Sequence, residues 1–213
     1  MFVSPSLISV DFTILRDQLH ECDLEEPYSY HMDIMDGHFV NNITVGPSFV
    51  RAVRKITDRK IESHLMIERP DKFYPAFLDA GTDLFLIHIE SPLSVGKLLK
   101  KMVQDGVEYG VVLNPETPFE KAIPFLPDAS ALLLMTVHPG FSGQRFIEDS
   151  LKKIGEARKY IDENSLPVKI EVDGGINDIT ARSAKKAGAD VAVSASYIFR
   201  GNIRERIRIL KSI

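Results

Sequence analysis

At 213 residues the chain is long enough for one substantial core, and its 44% hydrophobic and 26% charged residues exclude a disordered or fibrous protein. Its net charge of −4 comes without a sustained basic stripe, which predicts no nucleic-acid partner. The longest aliphatic run is residues 131–135, too short to span a membrane, and the first residues carry no signal-peptide pattern. The lone Cys22 cannot form an internal disulfide, which fits a reducing compartment. We therefore expect a cytoplasmic protein that does not enter a membrane.

Short apolar runs alternate with helical patterns along the whole chain. Eight strands are predicted at 3–8, 28–32, 61–65, 84–89, 109–113, 131–137, 168–172 and 191–194. Eight helices are predicted at 12–21, 47–56, 70–80, 95–104, 118–125, 147–163, 178–187 and 202–211. This alternation favours one α/β domain, residues 1–213, folded as a compact (β/α)8 TIM barrel. An open doubly wound sheet is the alternative, but it usually carries a glycine-rich turn after the first strand, and Ser4–Leu7 is not one.

Residues at the predicted element boundaries support this count. Pro70 and Pro118 lie where the first turn of a helix tolerates a missing N–H group. The sequences Ala-Gly-Thr-Asp at 80–83 and Ala-Gly-Ala-Asp at 187–190 each follow a predicted helix and precede a predicted strand. Both are typical of a left-handed glycine cap, and they look like one unit used twice.

Acidic and imidazole side chains follow three of the predicted strands. His31 and Asp33 are two residues apart, so they share one face of the second strand, while His64 ends the third strand and Asp173 the seventh. Function in such a barrel belongs at the carboxyl ends of the strands. Alone, each residue is more simply a hydrogen-bonded part of the structure. Together they indicate a site for one divalent ion, with Zn, Fe, Mn and Co as candidates.

Glycine-rich turns and methionines gather at the same end of the predicted barrel. Three late turns, 139–144, 173–177 and 194–196, offer backbone N–H groups to an anion such as phosphate. Met35, Met66 and Met135 fall near the ends of three strands, where they could form an apolar wall beside the site.

Several long motifs in a fixed order carry a family resemblance. Residues 4–7, 31–40, 64–66, 139–144 and 172–175 resemble, in this order, motifs of the ribulose-phosphate 3-epimerases. The resemblance covers nearly the whole chain and implies a barrel of the ribulose-phosphate-binding type. It also implies a metal-dependent isomerase that interconverts ribulose 5-phosphate and xylulose 5-phosphate, and a homo-oligomer.

The resemblance assigns roles to individual residues. It implies that His31, Asp33, His64 and Asp173 bind the metal ion and that Asp33 and Asp173 are also the catalytic acid and base. Substrate contacts would come from Ser6, His64, Gly140, Gly143, Gly175 and Ser196, and the site would be lined by Met35, Met66 and Met135. The chemistry matches these residue types, since a divalent ion stabilises an enediolate and inversion needs one acid or base on each face.

Some residues depart from the family pattern. His138 stands where asparagine is common, Ser142 where glycine is frequent and Ala195 where glycine is usual, which leaves substrate fit and phosphate binding open. Residues 113–118 and 170–174 resemble the allulose-6-phosphate 3-epimerase branch, so a six-carbon ketose phosphate is an alternative substrate. His88 has no assigned role, and the turn 138–145 is the candidate lid.

Two other functions are compatible with a phosphosugar barrel. A sensor that binds a phosphosugar without turnover is the alternative from another class, and it is disfavoured because all four ligands are present. Decarboxylases and hexulose-phosphate synthases of related barrels carry Asp-x-Lys-x-x-Asp. Residues 33–36 read Asp-Ile-Met-Asp and contain no lysine, which disfavours that chemistry.

Overall fold

Eight parallel strands form one sheet that nearly closes into a barrel. The structure is a computed structural model that describes residues 1–92 and 94–213. The strands are β1 (Phe2–Pro5), β2 (Ser29–Met35), β3 (Lys60–Met66), β4 (Leu84–His88), β5 (Glu108–Leu113), β6 (Ala131–Met135), β7 (Lys169–Asp173) and β8 (Val191–Ser194). Each pairs in parallel with its neighbour, in the order β1-β8-β7-β6-β5-β4-β3-β2. A parallel bridge between Ser6 and His31 joins the two ends, which confirms the predicted (β/α)8 barrel.

Helices follow most strands and cover the outside of the sheet. They are α1 (Leu15–Asp23), α2 (Pro47–Arg54), α3 (Pro70–Ala80), α4 (Val95–Gln104), α5 (Ser150–Glu163), α6 (Asp178–Ala187), α7 (Ser196–Phe199) and α8 (Ile203–Lys211). Pro70 occupies the first turn of α3, as predicted. No helix among the described residues combines the length and the apolar character that crossing a membrane requires.

The predicted helix 118–125 is wrong. In its place are two 3-10 helices, Phe119–Lys121 and Ile123–Asp128. Pro124 and Pro127 have no N–H group to donate, so an α-helical ladder cannot run through this segment, and only short 3-10 turns form.

The first two strands and the segment after β8 also differ from the boundaries predicted from the sequence. β1 ends at Pro5, three residues early, and is followed by a 3-10 turn at Leu7–Ser9. β2 continues three residues beyond its predicted end, to Met35, which places Asp33 inside the strand. The short helix α7 after β8 was not predicted.

The repeated Ala-Gly-x-Asp unit has the same structure at both of its sites. Gly81 and Gly188 cap their helices in the left-handed region, with φ of 107° and 117°, which confirms the predicted caps. An arginine from the preceding helix lies over each glycine and bonds the aspartate two residues later; the pairs are Arg54 with Asp83 and Arg158 with Asp190. Each aspartate also accepts a backbone N–H bond from a strand.

The inner face of the barrel is divided between apolar and polar side chains. On the side of β4, β5 and β6 the barrel is filled by an apolar cluster that includes Leu86, Val112 and Leu133. Most buried ionisable side chains come instead from β2, β3 and β7; they are His31, Asp33, Glu62, His64 and Glu171. Ser4 of β1 and His88 at the end of β4 are buried next to them.

Candidate active site

The four residues expected to bind a metal ion meet at the carboxyl end of the barrel. Strand alternation places His31 and Asp33 on the inner face of β2, and the register of β2 with β3 sets Asp33 beside His64. Asp173 ends β7. His31 Nε2 lies 3.2 Å from His64 Nδ1, 3.4 Å from Asp33 Oδ1 and 3.7 Å from Asp173 Oδ2. His64 Nδ1 lies 3.2 Å from Asp33 Oδ1 and 3.7 Å from Asp173 Oδ2.

This donor set fits a divalent cation. Two imidazole nitrogens and two carboxylate oxygens all lie within 4.8 Å of one another. With metal–ligand bonds of about 2.0–2.1 Å, the ligands of a tetrahedral ion stand about 3.3 Å apart. The five measured separations, 3.2 to 3.7 Å, are close to that spacing. His31, Asp33, His64 and Asp173 therefore form a cluster that could hold one metal ion.

The two carboxyl groups of the cluster have opposite pKa shifts. Burial would raise the pKa of Asp33, but the charge of His31 and its hydrogen bond hold it well below its usual range. Burial and the neighbouring Asp33 raise the pKa of Asp173 to about 7. One carboxyl is thus a carboxylate throughout the neutral range, while the other takes up a proton near neutrality.

The two histidines also differ from each other. Burial opposes protonation of His31, yet the charge of Asp33 and hydrogen bonds to Asp33 and Glu62 raise its pKa well above the usual value. Burial lowers the pKa of His64 to about 3, so this ring is neutral at physiological pH. A neutral imidazole is the form that binds a metal ion.

A cavity of about 330 Å³ opens above the cluster. Asp33 and Asp173 lie in its wall, while His31 and His64 are fully buried beneath it. Every other residue expected at the site lines this cavity: Ser6, Met35, Met66, Met135, Gly140, Gly143, Gly175 and Ser196. The structure thus brings all the expected site residues together, and their individual roles stay predictions.

Ser6 and Gly175 are held in positions that suit a ligand contact. Ser6 Oγ lies 2.5 Å from Asp33 Oδ2 and donates its hydrogen to that carboxylate. Gly175 has φ of 67°, and a Cβ there would lie 2.6 Å from the backbone nitrogen of Phe146. Only glycine therefore fits this turn, which leaves its backbone open to the cavity.

The loop after β6 closes over one side of the cavity and is tied down by a residue that sequence reasoning missed. Asn42, in the loop after β2, donates from Nδ2 to the carbonyl oxygen of Gly140 at 2.7 Å. Within the loop, Gln144 Nε2 donates to the carbonyl oxygens of His138 and Phe141. The expected lid therefore rests on the loop that follows β2.

A second layer of polar groups lies below the cluster. Glu62 and Glu171 are fully buried, and Glu62 Oε2 lies 3.6 Å from His31 Nδ1 and accepts a hydrogen bond from Ser4 Oγ. Both carboxylate oxygens of Glu171 lack a hydrogen-bond partner among the described residues. Burial and Glu62 raise the pKa of Glu171 well above its usual value. Each glutamate precedes an expected ligand by two residues, and this spacing was a signal for both.

The three departures from the family pattern have different positions. The imidazole of His138 is 65% exposed, and its Nδ1 lies 3.2 Å from Glu116 Oε1 outside the cavity. Ser142 and Ala195 line the cavity. Of the three, only Ser142 and Ala195 are placed where they could change how a ligand fits.

Asp36, in the second half of the motif at 31–40, has a structural role. Asp36 Oδ1 accepts the N–H groups of His38 and Phe39, and its Oδ2 accepts that of Glu68. This aspartate therefore shapes the loop after β2 and joins it to the loop after β3.

Comparisons with solved structures show the fold. The chain superimposes on 3-hexulose-6-phosphate synthase from Salmonella typhimurium with a TM-score of 0.73 and 16% identity, covering 100% of this chain and 97% of that one. It superimposes on phosphoribosyl anthranilate isomerase from Thermus thermophilus with a TM-score of 0.67 and 16% identity, covering 100% and 97%. At these identities the likeness concerns the barrel alone.

Comparisons of sequence find proteins that are much more similar to this chain than those solved structures. The model of the ribulose-phosphate 3-epimerase family matches residues 2–199. Ribulose-phosphate 3-epimerase of Bacillus subtilis is 42% identical over 205 residues, which cover 96% of this chain and 94% of that protein. The enzyme of the same name from Methanocaldococcus jannaschii is 40% identical over 210 residues, which cover 98% and 89%. The chain is an isomerase that belongs to the ribulose-phosphate 3-epimerase family.

Proposed function

We propose that the protein interconverts D-ribulose 5-phosphate and D-xylulose 5-phosphate by moving a proton at C3 between two carboxyl groups. The observation that carries this proposal is the pairing of Asp33 and Asp173, which reach one cavity from different strands and have opposite pKa shifts. Relatives named for this reaction, at up to 42% identity in the matches above, support the choice of substrate.

The two carboxyl groups account for inversion. One carboxylate takes the C3 proton, the electrons of the C–H bond move into the C2–C3 bond, and the ketone oxygen gains negative charge. The other carboxyl group, in its protonated form, donates a proton to the opposite face of C3, and the carbonyl reforms. The reverse reaction exchanges the roles of Asp33 and Asp173. Ser6 keeps Asp33 aimed at the cavity through its hydrogen bond to Oδ2.

His31, Asp33, His64 and Asp173 would hold one divalent metal ion, with Zn, Fe, Mn and Co as the candidates. When bound, the ion supplies positive charge beside the ketose oxygens, where negative charge develops during the reaction. The same site is lined by Met35, Met66 and Met135, whose apolar side chains limit the water that competes for the reacting groups.

The phosphate group is proposed to lie at the far side of the cavity, against the turns that contain Gly140, Gly143, Gly175 and Ser196. Glycine-rich turns present backbone N–H groups to an anion, and no positively charged side chain lines the described cavity. Phosphate binding would therefore depend on backbone and hydroxyl donors. The expected homo-oligomer and the cytoplasmic location stay predictions.

The test is an epimerisation assay with ribulose 5-phosphate and allulose 6-phosphate side by side, on metal-loaded and on chelated protein. We expect metal-dependent turnover that favours the five-carbon sugar. Preference for allulose 6-phosphate would overturn the substrate assignment and keep the reaction type. Metal binding without turnover of either sugar would overturn the enzymatic proposal in favour of a phosphosugar sensor.

A further inference from the structure

A line of hydrogen bonds leads from the candidate metal cluster into the barrel wall. His64 turns Nδ1 toward the cluster, and its Nε2 lies 2.8 Å from His88 Nε2. His88 Nδ1 lies in turn 3.2 Å from Glu90 Oε2. Both imidazoles are fully buried, and their planes differ by 19° with centroids 5.0 Å apart. The rings therefore meet edge to edge, which is the geometry of an N–H···N hydrogen bond.

Glu90, the acceptor at the end of this line, determines which nitrogen of each imidazole carries the proton. Glu90 Oε1 accepts the N–H group of Asn114 at 2.8 Å and the hydroxyl of Thr117. Burial would raise the pKa of Glu90, but hydrogen bonds from His88 and Thr117 lower it to about 2. Glu90 is thus a carboxylate that only accepts, so His88 must carry its proton on Nδ1.

The tautomer of His88 determines the tautomer of His64. In a neutral imidazole the nitrogen without a proton accepts, so His88 Nε2 receives a hydrogen bond from His64 Nε2–H. His64 then has a lone pair on Nδ1, which lies 3.2 Å from His31 Nε2 in the cluster. A competing arrangement is available, because Asp33 Oδ1 lies 3.2 Å from His64 Nδ1 and would accept a proton carried there. That alternative tautomer has no lone pair to offer a cation.

We propose that His88 and Glu90 are positioning residues that hold His64 as the Nε2–H tautomer and so keep its Nδ1 lone pair directed at the metal cluster. The proposal rests on the proposed function in one respect, since it takes His64 as a metal ligand. A group that binds the second nitrogen of a ligating histidine commonly fixes its tautomer and orientation. Here that support passes through a second histidine before it reaches a carboxylate.

The turn after β5 acquires a function in this arrangement. Besides the donors of Asn114 and Thr117 on Glu90, Lys153 Nζ donates to the carbonyl oxygens of Asn114 and Pro115 at 2.8 and 2.7 Å. These bonds together fix the turn against the carboxylate of Glu90. Residues 114–117 thus belong to the support of His64, to which they are connected through Glu90 and His88.

Glu90→Gln tests the proposal with almost no change in shape. Asn114 N–H and Thr117 O–H would keep the amide oxygen, so the amide NH2 group would face His88 Nδ1 and donate to it. We expect both tautomers to reverse, which puts the proton of His64 on Nδ1 facing Asp33. Glu116→Gln is the matched control, because this glutamate lies on the same turn but is 66% exposed and contacts only the exposed His138 among the described ion pairs.

The readout is long-range nitrogen–proton NMR of the imidazoles in metal-free protein at neutral pH, which the presence of only six histidines makes tractable. Wild type and Glu116→Gln are expected to show His64 as the Nε2–H form and His88 as the Nδ1–H form. Glu90→Gln is expected to show both reversed. A second variant, His88→Phe, removes the acceptor altogether and should also move the His64 proton to Nδ1.

Zinc titration of the same proteins measures the consequence. Loss of such support commonly costs 10–100-fold in metal affinity, and we expect a decrease of about this size in Glu90→Gln and none in Glu116→Gln. An Nδ1–H form of His64 in the wild type, a doubly protonated His88, or unchanged tautomers and zinc affinity in Glu90→Gln would each overturn the proposal. Because the tautomers are read without metal or substrate, an inactive wild type with the expected tautomers would count against the proposed function alone.

Discussion

One carboxylate oxygen of Asp33 lies within 4.8 Å of one of Asp173, yet the pKa of Asp33 is shifted downward and that of Asp173 is raised to about 7. The difference arises because the charge of His31 and its hydrogen bond favour the carboxylate form of Asp33, whereas Asp173 is affected mainly by burial and by the repulsion of Asp33. Two neighbouring acids thus hold different protonation states in one cavity. A reaction that removes a proton on one side and returns it on the other needs this division.

The first prediction separates the two carboxyl groups by isotope exchange. Asp173→Asn leaves Asp33 able to take and return a proton on its own face of C3, so one epimer should still exchange its C3 hydrogen in D2O. In Asp33→Asn, Asp173 should still exchange the C3 hydrogen of the other epimer. We expect kcat for epimerisation to fall by about 10²–10⁴-fold in each variant, the usual contribution of a positioned acid or base. The measurement is NMR of both sugars at saturating metal.

The matched pair is its own control, since both variants replace a carboxylate of the same cluster by an amide. Exchange of the same epimer in both variants would contradict a mechanism with one group on each face. Epimerisation at near the wild-type kcat in either variant would contradict the acid and base assignment.

The second prediction concerns the stability of the chelated protein. The pKa of Asp173 rises from 3.8 to about 7 on folding, so its contribution to stability is present below about pH 4 and is lost as the pH rises toward 7. His64 acts in the opposite direction, because its pKa falls from 6.5 to about 3 and its contribution is lost as the pH falls through that range. The wild-type curve alone therefore hides both effects.

Comparison with Asp173→Asn isolates the carboxyl group. The free energy of unfolding of the variant minus that of the wild type should increase between pH 4 and pH 7, as measured by urea unfolding in the presence of chelator. Parallel curves for the two proteins would show that Asp173 titrates normally. Added zinc should stabilise the wild type most at the upper end of the range, since the bound ion requires the deprotonated carboxylate.

The sequence was enough to predict the barrel because its signals are local. Alternating apolar runs and helical patterns identify β/α units, and the spacing of His31 and Asp33 places both on one face of a strand. The helix expected at 118–125 does not form, although its hydrophobic pattern is helical, because Pro124 has no N–H group to donate to an α-helical ladder. Pro127 has the same effect just beyond this range, so the segment forms only 3-10 turns.

The support of His64 could not be predicted in the same way. His88 lies 24 residues from His64, and the two rings meet only because β3 and β4 pair in one particular register. Asn114 reaches Glu90 from a loop that follows yet another strand. Such contacts depend on strand register and barrel closure, which residue spacing within one strand does not determine.

The third prediction contrasts two glycines of the outer layer. Gly188 has φ of 117°, and a Cβ there would lie 2.5 Å from Arg158 Cγ, whereas a Cβ on Gly155 in α5 would meet nothing nearer than the Ala187 oxygen at 3.9 Å. Gly188→Ala should destabilise the protein by about 1–3 kcal/mol through backbone strain. Gly155→Ala should stabilise it by about 0.5–1 kcal/mol, because glycine disfavours a helix interior. Urea midpoints measure both, and equal shifts in one direction would contradict the left-handed cap.

The fourth prediction concerns the hold of Asn42 on the loop after β6. Asn42→Ala removes the bond to the Gly140 carbonyl, a loss of about 0.5–1.5 kcal/mol for a typical hydrogen bond, so the loop should open more often. Chymotrypsin should then cut faster after Phe141, which is 60% exposed at the tip of the loop. We expect KM to rise about 2–10-fold, the equivalent of one such hydrogen bond, with a smaller change in kcat, because Asn42 makes no hydrogen bond to Asp33 or Asp173 among the described residues. Asn41→Ala is the control, since Asn41 is exposed and its side chain makes no hydrogen bond among the described residues. Equal cleavage rates in the two variants would show that the loop closes without this contact.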